Sequence, residues 1–145
     1  MTAPGDAGGD PVRLLDREAR SLVARLRLWT PARWQAQAPP WGSRADLARH
    51  LAGSFVSLAG ETRVPLPRLD SPLAVPDQLA VTADDLVRTG PAAGPAVAAV
   101  AHLLLHRRDL LGEDVPVGLA AALGLQDVLA AGRAACPGTP TAGAP

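Results

Sequence analysis

Apolar residues recur along this chain at helical spacing, and no stretch alternates as a half-buried strand would. The clearest stripe is Leu15, Ala19, Leu22, Leu26 and Trp29, which steps alternately by four and three residues. Arg13, Asp16, Arg17, Glu18, Arg20, Arg25 and Arg27 cover much of the remaining surface of that segment. Asp10 before Pro11 is a good N-cap followed by proline at the first helical position. Thr30-Pro31 stops the helix, because proline disfavours helical geometry in the residue before it. "TPARWQAQAPPWG" then reads as a connector, with Trp34 and Trp41 as apolar plugs.

A second helix is predicted over "SRADLARHLAGSFVSLAGE", where Ser43 and Asp46 have the spacing of a capping box. Leu47, Leu51, Phe55 and Leu58 form its ridge, and His50 faces inward or lies at the edge of the core. Prolines at 65, 67, 72 and 76 predict an extended loop from Thr62 to Pro76. "TADDLVRTG" reads as a short helix capped by Thr82 and interrupted by "PAAGP". From Pro95, "PAVAAVAHLLLHRRDLLG" is apolar nearly all round until Arg107, which suits the middle of a bundle, and Gly112 closes it. A last helix is predicted from Asp114–Pro116 through "VGLAAALGLQDVLAAGRAA", weakened at Gly118 and Gly124 by about 1 kcal/mol each. The expected architecture is all-α, an up-and-down bundle of about four helices over residues 10–133, with a flexible 1–9 and a disordered Pro/Gly-rich 134–145.

Composition narrows the partners. The 14 basic residues are all arginine and balance 14 acidic ones, so no basic field attracts nucleic acid or anionic lipid. No apolar run reaches membrane-spanning length, and "MTAPGDAGGDP" carries neither a positive leader nor an apolar signal core. The single Cys136 excludes an internal disulfide framework and suits a reducing cytosol, so a cytoplasmic location is expected. Trp29, Trp34 and Trp41 are the apolar positions that would serve a homodimer interface.

The chain has only three histidines, and two of them, His102 and His106, are spaced i, i+4. That spacing stacks two imidazoles on one helical face, about 5–6 Å apart at their β-carbons. Both rings can then reach one ion, with His50 from another helix as a third ligand and an open position left over. The competing reading is that they are core histidines with ordinary hydrogen bonds. The pair lacks the glutamate that flanks such histidines in metalloproteases.

"W-G-S-R-A-D-L-A-R-H-L", Trp41 to Leu51, and "H-R-R-D-L", His106 to Leu110, together resemble the DinB-like superfamily, especially its mycothiol-dependent maleylpyruvate isomerase branch. Ser43, Asp46, His50 and Leu51 match that signature in register, whereas Trp41 is one residue further from the cap than usual. That branch commonly has glutamate where this chain has His102, so the ligand set resembles the all-histidine version. The resemblance implies His50, His102 and His106 as metal ligands, with Asp46 and Asp109 as supporting residues. Asp46 is equally explained by the cap, and Asp109 by pairing with an arginine. The segment between His50 and His102 is shorter than in that family, and the separate C-terminal domain of the isomerase is missing.

The resemblance implies a metal- and thiol-dependent transferase or isomerase. Zinc is the expected ion, with nickel or iron as alternatives, and the cofactor a low-molecular-weight thiol such as mycothiol that meets an electrophile. Arg107 and Arg108 would anchor a substrate carboxylate, or else simply carry solvated charge at a helix C-terminus. The alternative function is a non-catalytic helical interaction or stress-response module that keeps the fold and the metal.

Overall fold

The computed structural model describes residues 10–60 and 66–115. Within them every regular element is helical, and the one bridge between extended residues is the isolated pair Gln37 and Ser43. The chain is therefore all-α over the described residues. The expected last helix at 116–133, the terminal segments 1–9 and 134–145, and Cys136 lie outside them.

Helix α1 spans Pro11–Leu26, and its N-cap Asp10 accepts a hydrogen bond from the Val12 amide at 3.0 Å. The stripe read from the sequence is the buried one, joined by Leu14 and Val23. A five-residue helix, α2 (Pro31–Gln35), follows. Thr30 caps it by accepting from the Arg33 amide, so Thr30-Pro31 opens an element as well as separating it from α1. Its Trp34 is fully buried and lies 4.8 Å, centroid to centroid, from the buried Trp29. Those two indoles belong to the interior and are not available to a dimer interface; of the three, only Trp41 keeps substantial exposure.

Helix α3 (Arg44–Leu58) begins with the capping box that its spacing predicts. Ser43 Oγ accepts from the Asp46 amide, and Asp46 Oδ2 accepts from the Ser43 amide at 2.9 Å. Leu47, Leu51 and Phe55 are fully buried. The next helix corrects the sequence reading. A single 3-10 turn at Pro72–Ala74 leads into α4 (Val75–Arg88), a helix of 14 residues where a proline-rich loop and a short helix were expected. Pro76 sits in its first turn, where a missing amide hydrogen forfeits no helical bond. Thr82 is therefore mid-helix and not a cap; its hydroxyl donates to the Leu79 carbonyl at 3.0 Å. Val75, Leu79, Ala83 and Leu86 are its core face.

Helix α5 (Ala93–Leu111) ends at Gly112, whose φ of +71° is the left-handed stop that glycine adopts without strain. Helices α1 and α3 each pack against both α4 and α5. Their apolar faces merge into one core that includes Leu22, Leu26, Phe55, Leu86 and Leu103. No described helix is long and apolar enough to cross a membrane.

Candidate metal centre

The contact between α3 and α5 brings together residues far apart in the sequence. His50 stands on α3 as an exposed residue, more outward than the inward or core-edge place its spacing predicts, with its ring partly covered, while His102 and His106 stand on α5, the first half-buried and the second 7% exposed. The rings of His50 and His106 lie 5.4 Å apart, centroid to centroid, and nearly parallel at 17°. Those of His102 and His106 are 6.2 Å apart. Two imidazoles sharing a tetrahedral ion at 2.0–2.1 Å would place their centroids roughly 5.3 Å apart. The first pair already has that separation, and the second is wider by nearly 1 Å. Accordingly, among the described residues no group of three or more His, Cys, Asp or Glu side chains is placed so that it could hold a metal ion as it stands.

The chemistry of the donors is more telling than their spacing. His106 Nδ1 lies 2.6 Å from the carbonyl oxygen of His102. A carbonyl only accepts, so Nδ1 carries the proton and Nε2 the lone pair. That Nε2 is buried and has no hydrogen-bond partner. An orphaned buried acceptor is destabilising unless something fills it. Burial also pushes the pKa of His106 down to about 4, which outweighs the opposing pull of the His102 carbonyl and keeps the ring neutral near pH 7. Burial lowers His102 as well. At His50 burial again comes first, followed by the neighbouring charge of His102. Three neutral imidazoles with one fixed tautomer are what a transition metal requires, so the donor chemistry suits such an ion although the three rings are not yet placed to share one.

Trp41, which forms part of no ligand set, leans over the group. Its indole is 4.0 Å from the His50 ring and 6.1 Å from that of His106. The only sign of this in the sequence was its place two residues before the Ser43 cap.

The supporting residues are engaged elsewhere. Asp46 gives its carboxylate to Ser43, accepting from both the amide and the hydroxyl, and this cap holds its pKa below the ordinary carboxylate value. Asp109 accepts from Arg108 at 3.3 Å. Arg107 is half-buried between Glu18 at 2.6 Å and Glu113 at 3.4 Å, and Glu113 also binds Arg25. These pairings take up the charge that Arg107 and Arg108 would otherwise offer a substrate carboxylate. Two surface grooves of about 380 and 430 Å³ lie between α1 and α4 and beside Leu66–Ala74, and neither is lined by a histidine.

Comparison of the chain with protein-family models, curated proteins and solved structures finds no match.

Proposed function

We propose that His50, His102 and His106 hold one divalent transition metal, zinc foremost with nickel or iron as alternatives. We further propose that the chain is a DinB-like up-and-down four-helix bundle acting as a thiol-dependent transferase or isomerase. The observation that carries the metal reading is the lone pair on His106 Nε2, buried without a partner beside the His50 ring. Since Nδ1 is committed to the His102 carbonyl, Nε2 is the atom left to bind. The full helix α4 supports the bundle reading, because α1 and α3 each pack against it as well as against α5.

Each residue has a task in this reading. His106 is aimed by its backbone hydrogen bond, His102 supplies both that carbonyl and its own ring, and His50 brings the donor from the second helix. An ion held by three neutral imidazoles keeps its double positive charge and would lower the pKa of a bound thiol, such as mycothiol, or of water. The exposure of His50 leaves the group open to a small thiol or electrophile.

One observation favours the alternative of a non-catalytic helical module: the described grooves lie away from the histidines. Two measurements decide. Metal analysis of protein purified without a histidine tag should find close to one equivalent, and His102→Ala should abolish it. Full metal in that variant would remove the ligand assignment. Metal-dependent consumption of a low-molecular-weight thiol with an electrophile is the expected activity, whereas metal-replete protein that binds no thiol would be the structural module.

A further inference from the structure

A ligating imidazole needs something to fix its plane, normally a hydrogen bond from its second nitrogen to a carbonyl or carboxylate. His106 has the His102 carbonyl for this purpose. The His50 ring has no hydrogen-bond partner among the described residues, and the carboxylate nearest in sequence, Asp46, is taken by the helix cap. What touches the ring is Trp41, with centroids 4.0 Å apart and planes 32° from parallel.

We propose that Trp41 is a positioning residue of the three-histidine site, its indole holding the His50 ring in ligating orientation by stacking where other histidines use a hydrogen bond. The inference rests on the metal reading above and adds a residue to it.

The indole can do this because its backbone lies in a turn closed by hydrogen bonds. The Ala38 amide donates to the Gly42 carbonyl at 2.7 Å, and the Trp41 amide donates to the Ala38 carbonyl at 2.8 Å. Outside this turn Gln37 pairs with Ser43, and the Arg44 amide donates to the Ala36 carbonyl at 2.9 Å. Gly42 closes the turn at φ +96°, and a Cβ there would lie 2.9 Å from Asp46 Oδ2. The turn that carries the indole thus runs directly into the cap of the helix that carries His50. Stacking of two flat rings restricts rotation about the imidazole's last torsion, which is otherwise broad. An aliphatic side chain of similar bulk would fill the space without imposing a plane.

The test uses the full chain and Co2+ as the probe, with affinity measured by chelator competition. Trp41→Leu should weaken Co2+ binding about tenfold or more, the usual effect of losing a ligand's orienting partner. Trp41→Phe should stay within about threefold of the parent, because it keeps a flat ring. Melting temperatures of the metal-free variants separate positioning from packing: equal losses of affinity in both variants together with lowered melting would overturn the proposal. So would Co2+ binding in Trp41→Leu that equals the parent, an outcome that leaves the three-histidine site standing. A parent protein that binds no Co2+ removes both. If Trp41→Leu fails to fold, the parent alone suffices: saturating Co2+ should quench the emission of the exposed tryptophan, and unquenched emission refutes the contact.

Discussion

Acidifying the metal-free protein from pH 7 to pH 4 probes the burial of His106. The residue is 7% exposed and its Nδ1–H is held by a backbone carbonyl. Burial takes its pKa from 6.5 to about 4, so the folded state keeps the ring neutral where the unfolded chain accepts a proton. For a base whose pKa is depressed on folding, stability is intact above pH 6.5. It drains away as pH falls toward 4, where the folded state begins to take up the same proton. At 1.36 kcal/mol for each pH unit between the two values, the full loss is about 3 kcal/mol. That is a large part of the 5–15 kcal/mol typical of a domain. His50 and His102 are lowered too and act in the same direction. Asp46 and Glu113 are carboxylates held below their ordinary values, so their contribution is present above those values and is lost as they protonate at lower pH. Urea denaturation with a chelator present, repeated along the pH series for the parent and His106→Leu, isolates the one ring because the other groups are common to both proteins. The parent should lose about 3 kcal/mol more than the variant between pH 6.5 and 4. Parallel profiles would refute a buried neutral imidazole at position 106.

Two further outcomes concern the scaffold. Phe55 is fully buried, so Phe55→Ala should cost about 3–5 kcal/mol in chemical denaturation, and a loss below 1 kcal/mol would contradict its place in the core. Ser43→Ala removes the hydroxyl that accepts from the Asp46 amide and donates to its carboxylate, and should lower stability by about 1 kcal/mol in thermal melts.

The parts of the fold that were legible in the sequence are those set by local rules. The 3-and-4 stripe of α1, the Ser43–Asp46 cap and the Gly112 stop each depend on neighbours within a turn or two. Prolines misled twice, at α2 and at α4, because the same residue that cannot continue a helix is welcome in its first turn. Position along the chain alone did not tell which role Pro31 and Pro76 play; the capping oxygen of Thr30 and the 3-10 turn before Val75 decide it. For the site, the pairing of His102 with His106 follows from helical spacing. The approach of His50 does not, since periodicity says which face is buried and nothing of which helices become neighbours; its being the one remaining histidine, on a second helix, suggested it, and the resemblance to a family signature added to that. Trp41 was read as a plug for the same reason: its partner is a ring on another element.

Were the three histidines to hold an ion as proposed, the packing of α3 on α5 would decide when it could be held. A chain that has made α5 but not docked it against α3 offers only the i, i+4 pair, a two-point grip that water readily breaks. If the three histidines share an ion, only the closed core would deliver the donor from residue 50, and capture and completion of folding would become one event. Bound there, a single ion would act as a clasp between distant parts of the chain. Its retention would report that the clasp's two halves had met, and each tenfold rise in free ion would tighten the closed form by about 1.4 kcal/mol.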